Sequence, residues 1–406
     1  MFNGMRRRKR SNAGSYRGGR LDGLPKMSKK ILIDGRNCFD PGIMANKLPS
    51  CKQMCDRLTS DSFCLLTLSQ GEQWTDLLQK VKTCDIHYEP GYYRVFEGND
   101  QALLFVCRQD SEFVVYPFLL RKVDHGGEIT AGENYFDITS PYGYGGPLAS
   151  PGADQQNLKS FWQSFGQFCR DSKIITEFIR FHPLIHNHEQ AAGYVEPERN
   201  SSVVFIDLSQ TEERIWSGYD YSCRKNIKKA ARSGVTVIID HTPRFFSDFS
   251  TIYRHTMDRN NSSDFYYFPD SFFDKIHRFL DGNYLYAHAF LEGKLISTEL
   301  LLYSRTFIHS FLGGTLAEYF PFRPNNLLKH EVILWAKRKG IGYFILGGGR
   351  NDDDGIFRYK QTFAKESLAN YYIGKKIHNQ DTVRRLTGLT DEEQEQKAFF
   401  PPYRRC

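Results

Sequence analysis

No apolar run in this 406-residue chain approaches the ~20 residues needed to cross a bilayer. The longest, over residues 113–120, is the length of a strand. No apolar segment follows the basic N-terminus, so that stretch does not read as a secretory signal. The nine cysteines are scattered, none form a Cys-x-x-Cys pair, and Cys51-x-x-x-Cys55 has no matching second pair. A structural zinc site and a disulfide scaffold are therefore disfavoured, and a reducing cytosol is the simplest compartment. His-Glu-x-x-His is absent, which disfavours a zinc hydrolase. The body of the chain also lacks net charge. The whole carries +7, but residues 1–30 hold ten basic side chains and one acid, hence +9, which leaves −2 for residues 31–406.

What is present points to a folded protein. An apolar fraction of 40% and an aromatic fraction of 15% suffice for sizeable cores and exclude disorder as the dominant state. The length suggests two or three domains. Residues 1–55 form a basic leader, rich in Arg, Gly and Ser at its start, for which disorder is expected. From residue 62 the pattern turns globular. Strands are expected at 63–68, 102–108, 112–121 and 176–181, with helices at 72–81 and 154–172. A second cycle begins near 201. It has strands at 202–208, 235–240, 284–291, 295–303, 307–312, 343–346 and 370–375, and helices at 212–233, 245–259, 270–281 and 326–339. The two halves share an element order, so the fold class is α/β (α+β), two tandem domains over 56–200 and 201–380, each a mixed sheet flanked by helices, followed by a tail over 381–406.

Three segments carry candidate chemistry. Arg224, Lys228 and Arg232 share one helix face at i, i+4 and i+8, flanked by Lys225 and Lys229. Like charges at that spacing repel, which reads either as a solvated face or as a phosphate site, where Arg offers a planar fork and Lys a point charge. Gly347, Gly348 and Gly349 follow a strand and read either as a tight turn or as a place where backbone approaches a ligand. Tyr359 and Lys360 follow an acidic turn and could set an ammonium beside a reacting carbonyl, or simply form a capped surface element.

Taken in order, these segments resemble the Fem-type transferases that build peptidoglycan cross-bridges. More closely, they are similar to the Fem-like or BioF2-like acyltransferase domain of the GNAT superfamily. The resemblance spans residues 62–375 and is strongest over 216–366. It rests on R-x-x-I-K-K-A-x-x-x-G-V from Arg224, Phe249-x-x-x-Tyr253 with Thr256-Met257, Leu346-Gly-Gly-Gly349, and Tyr359-Lys360-x-x-Phe363. The loop from Pro141 to Pro147, with Tyr142 and Tyr144, looks like one in the family's first domain. A shorter stretch, residues 31–42, resembles the C-terminal end of UDP-glucose dehydrogenases. Two readings stay open for the leader: a natural start at Met54, or an ordinary variable segment.

The resemblance implies two tandem GNAT-like domains and transfer of an acyl or aminoacyl group to an amine of a glycan, nucleotide-sugar or lipid-linked envelope precursor. It assigns substrate phosphates to Arg224, Lys228 and Lys229 and the acyl ester to Tyr359-Lys360, with Tyr142, Tyr144 and Gly347–Gly349 as further substrate-binding candidates. The family's aromatic here is Tyr359 rather than Phe. No bound cofactor and no metal are implied, with acyl-CoA or aminoacyl-tRNA as donor substrate. The long helical arm that some members use for tRNA is missing, and so is the ordinary GNAT pyrophosphate loop Q/R-x-x-G-x-G/A. The implied setting is cytoplasmic, with peripheral contact at the inner face of the membrane. A base must take the amine's proton. Glu299 is a candidate, against a solvated strand-edge carboxylate, whereas His288 and His309 read as packed or surface histidines. Two competing functions remain: a nucleic-acid-binding protein using the Arg/Gly leader, and an inactive scaffold of the same fold.

Overall fold

The computed structural model describes residues 62–123, 133–349, 352, 354–395 and 399–404. The basic leader lies outside them. In chain order the first half contains β1 (Ser62–Thr67), α1 (Gly71–Leu78), α2 (Pro90–Phe96), β2 (Gln101–Gln109), β3 (Glu112–Lys122), β4 (Phe136–Thr139), β5 (Leu148–Ala149), α3 (Gln155–Asp171), β6 (Ile174–Arg180) and β7 (Pro197–Asp207). The second half contains α4 (Glu212–Gly218), α5 (Tyr221–Arg232), β8 (Thr236–Asp240), α6 (Phe246–Arg259), α7 (Asp270–Phe279), β9 (Tyr284–Leu291), β10 (Lys294–Tyr303), β11 (Phe307–Thr315), α8 (Pro324–Arg338), β12 (Tyr343–Gly347), α9 (Gly355–Gln361), β13 (Leu368–Ile377) and α10 (Gln380–Thr387).

Helix α3 shows how the sequence builds these elements. Asp154 accepts from the backbone N–H groups of Gln156 and Asn157, while Asn157 returns a bond to the Asp154 N–H, closing a capping box. Phe161, Phe165 and Phe168 then fall on one stripe and pack against Phe105 of β2. Each such buried side chain contributes about 1.5–3 kcal/mol.

Each half ends in the same unit: an antiparallel meander, a helix, then a strand parallel to the last meander strand. In the first half α3 joins β4 to the parallel β6; in the second α8 joins β11 to the parallel β12. The halves then exchange their final strands. β7, from the end of the first half, pairs with β12 of the second, and β13, from the end of the second, pairs with β6 of the first. β7 and β13 also pair with each other. The result is one mixed sheet in the order β1-β2-β3-β4-β6-β13-β7-β12-β11-β10-β9-β8, with β5 added on β3. Helices cover both faces, as expected.

The segment read as a helix over 212–233 is two helices. The chain leaves α4 at Tyr219, whose backbone is extended, and α5 restarts after Asp220. Arg224 explains why the break is tolerated: its guanidinium donates to the carbonyls of Trp216, Ser217 and Tyr219 at the open end of α4. The segment after residue 380 is also folded. Val383, Leu386 and Tyr403 pack on Val123 and Ile175, and Tyr403 and Arg404 both donate to Asp137. Cys84, Cys169 and Cys223 are free thiols, whereas Cys64 is disulfide-bonded, a correction to the expectation drawn from cysteine spacing. Among the described residues no helix is long and apolar enough to cross a membrane.

Candidate active site

β11 and β12 pair at only three positions, Phe307–Tyr343, Ile308–Phe344 and His309–Ile345. Beyond them β11 continues along β10 while Gly347 of β12 pairs with Val204 of β7. Parallel strands that stop pairing leave backbone donors and acceptors facing a gap, which suits an extended ligand. The glycine triplet lies at this point. Gly347 is left-handed at φ +81°. A Cβ on Gly348 would stand 2.7 Å from the Ser202 carbonyl, and one on Gly349 would overlap the Asp354 carboxylate. That carboxylate caps α9 by accepting from the Phe357 N–H at 2.7 Å. Close packing therefore accounts for Gly348 and Gly349 on the turn reading.

Lys360, on α9, donates from Nζ to the Gly348 carbonyl at 2.6 Å. Burial, then the positive charge of Lys329, push its pKa down to about 8, against the opposing pull of Glu299 and Asp354. Lys329 projects from α8 into the same region. Its ammonium lies 2.5 and 2.6 Å from the two oxygens of Glu299 and 2.9 Å from Ser310 Oγ, which also donates to Glu299. Glu299 is buried on β10, an inner strand between β9 and β11, so the solvated-edge reading is corrected. The Tyr359 hydroxyl is buried with no hydrogen-bond partner among the described residues, and burial followed by the Glu299 charge raises its pKa. Tyr359, Lys360, Glu299 and Gly347–Gly349 thus converge on one place. Lys329 completes it and was not singled out from the sequence.

The basic helix behaves differently. α5 turns Cys223, Ile227 and Ala230 inward and leaves Lys225, Lys228, Lys229 and Arg232 exposed. Lys228 Nζ sits 5.8 Å from the Trp216 ring centroid. Arg224 is engaged with the carbonyls at the end of α4, and it lines a cleft of about 530 Å³ together with Arg214, Tyr221 and Lys365. Arg224→Ala is expected to cost about 1 kcal/mol of stability through those lost bonds, measured as a lower urea midpoint.

On the side of β11 facing away from α8 lies a second buried polar cluster. Asp85 Oδ2 accepts from His87 Nδ1 at 2.7 Å and His309 Nε2 at 2.8 Å, and Oδ1 accepts from Ser304 Oγ at 3.0 Å. His182 Nε2 lies 3.2 Å from the same Oδ2, outside hydrogen-bond geometry. Burial acts to raise the Asp85 pKa, but the neighbouring imidazoles, His309 and His87 first, outweigh it and hold it well below the ordinary range. Burial lowers His87 to about 4 and lowers His182. Tyr144 packs edge-on or tilted against His87, His182 and His309, and Tyr142 against Phe265, Phe268 and Phe311. Tyr144 therefore belongs to this cluster, whereas Tyr142 sits among the aromatic rings beside it. His288, by contrast, is a packed histidine that bonds Thr298 at 2.8 Å.

Asp85, His182 and His309 offer ligand atoms close enough for a metal ion. The ring roles argue otherwise. His182 Nδ1 accepts from the backbone N–H groups of Leu184 and Ile185, at 3.2 and 3.1 Å. Its proton is therefore on Nε2, the atom that would have to bind the metal.

Residues 218–361 match the acetyltransferase (GNAT) domain family. This is a GNAT domain in a Fem-like fold. The FemX crystal structure superposes with a TM-score of 0.64 at 12% identity, covering 81% of this chain and all of that one. A tandem GNAT protein from the clavulanic acid biosynthesis pathway gives 0.50 at 11% identity, over 79% of this chain and 99% of its own. A conserved protein of unknown function from Bacteroides thetaiotaomicron gives 0.52 at 10% identity, over 76% and 97%. No curated protein sequence matches significantly. The GNAT match contains Glu299, Lys329, Tyr359 and Lys360, so the converging group lies inside the acyltransferase domain.

Proposed function

We propose that the chain is an N-acyltransferase that moves an acyl or aminoacyl group from an activated ester or thioester to an amine of a glycan, nucleotide-sugar or lipid-linked envelope precursor. The observation that carries this reading is Lys360. Its desolvated ammonium stands at the gap between β11 and β12, bonded to a backbone carbonyl that a substrate oxygen can replace. A cation fixed where negative charge develops on a carbonyl oxygen stabilises the tetrahedral intermediate. The gap aligns donor and acceptor, and little covalent chemistry is asked of the protein. Acyl-CoA and aminoacyl-tRNA are the two donor classes, and the acceptor side belongs with the Fem-like resemblance and a setting at the cytoplasmic face of the membrane.

The test is mass spectrometry of products after incubation with acyl-CoA, charged tRNA and amino-sugar precursors. A new amide on the precursor supports the reading; none with any donor refutes it. In the same assay Lys228→Ala with Lys229→Ala is expected to raise the acceptor KM several-fold, more at low salt, because the exposed ammoniums act on phosphate as screened point charges. An unchanged KM removes them from the acceptor site.

A further inference from the structure

We infer that Nδ1 of His309 is the proton acceptor for the attacking amine, with Asp85 as its positioning residue; this rests on the acyl-transfer reading above. Asp85 is a carboxylate that accepts from imidazole N–H groups. His309 therefore carries its proton on Nε2, at 2.8 Å from Asp85, and presents a lone pair on Nδ1. The neighbouring rings cannot serve in its place. His182 Nδ1 is taken by two backbone N–H groups. His87 Nδ1 is bound to Asp85, and its ring comes from the short turn at Ile86–Tyr88 rather than from a strand that borders the gap.

His309 also has the right place in the fold. It is the last β11 residue paired with β12, so it stands where the gap opens. Gly348, whose carbonyl holds Lys360, lies three residues past its partner Ile345 on β12. Lys360 comes from the α9 side of the sheet, while His309 shares a cluster with Asp85 and Tyr144 on the other. An acyl group held at the gap would meet the ammonium from one face and the amine from the other. The groups facing His309 are Asp85, His87, His182 and the Tyr144 hydroxyl.

The step balances without a further reagent. The amine nitrogen bonds to the acyl carbon, its proton passes to His309 Nδ1, and the carbon–oxygen or carbon–sulfur bond to the donor breaks. The imidazolium then returns the proton to the departing alkoxide or thiolate. Asp85 keeps the ring oriented and stabilises its charged form, as a carboxylate does for a general-base histidine.

The experiment compares wild-type protein with His309→Gln and Asp85→Asn. His309→Gln is expected to lose about 10²–10⁴-fold in kcat, with the acceptor KM unchanged. Asp85→Asn is expected to lower kcat less than His309→Gln, again with the acceptor KM unchanged. Wild-type kcat in His309→Gln overturns the assignment, as does activity lost to a chelator and restored by zinc. Nitrogen-15 imidazole spectra of the wild-type protein read the dyad without any assay and whether or not the variants fold. They are expected to show His309 protonated at Nε2 alone, and protonation at Nδ1 overturns the inference. Wild-type protein that acylates no amine refutes the transfer reading instead.

Discussion

Replacing Lys360 by alanine is expected to lower kcat for acyl transfer by about 10³-fold while the protein stays as stable as the wild type. The first half follows from the position of Nζ at the Gly348 carbonyl, in the gap where β11 and β12 separate. The second follows from the sign of its pKa shift. An ammonium lowered from 10.5 to about 8 by burial and by Lys329 is held at a cost in the folded state. Between those two values the unfolded chain binds more protons than the folded one, so this group makes stability rise with pH through that window and withholds it below. Removing the ammonium at neutral pH therefore forfeits no stabilising charge. The same shift sets the activity profile. If the charged form stabilises the oxyanion, kcat falls as pH rises through about 8. Lys360→Arg, which stays protonated far above that pH, is expected to abolish this alkaline limb even if its overall rate is reduced. A pH profile of kcat with unchanged alkaline limb in the arginine variant, or wild-type turnover in the alanine variant, excludes Lys360 from the reaction.

Why Lys360 was legible in the sequence and Asp85 was not has a physical basis. Tyr359-Lys360 follows a glycine-rich strand end and an acidic cap within a dozen residues, so local spacing already places it beside Gly348. Helical stripes such as Phe161, Phe165 and Phe168 are likewise local, and α3 falls where its periodicity puts it. The exchange of β7 and β13 is decided by pairing between residues more than 130 positions apart, such as Tyr343 with Asp207 and Leu368 with Val204, and no period encodes it. Asp85, His87, His182 and His309 come from three separated segments, and each alone looks like an ordinary polar residue in an apolar neighbourhood. Lys329 was within reach. It lies three residues before Val332 and seven before Ala336, both apolar and buried, so a lysine on that stripe had to find a buried partner. The basic run from Arg224 divides its roles in a way that charge density does not encode. Charge density suggested one phosphate-binding face, but Arg224 is the residue that closes the end of α4.

Lys329→Met is expected to destabilise the protein by about 3–5 kcal/mol, read from urea denaturation. The variant leaves the Glu299 carboxylate buried on an inner strand with Ser310 as its remaining hydrogen-bond donor among the described residues, and a buried charge stripped of its partner costs more than the pair contributes. Combining Lys329→Met with Glu299→Gln removes both charges, keeps an acceptor for Ser310, and is expected to recover most of the loss. The double variant also separates two roles for Glu299. If Glu299 took the amine's proton, the recovered protein would fold and still lose at least about 10²-fold in kcat. Both Glu299 oxygens lie against the Lys329 ammonium, at 2.5 and 2.6 Å, in a buried ion pair, which favours a pairing role over proton transfer. Kcat is therefore expected to return together with stability, which leaves the proton transfer to His309.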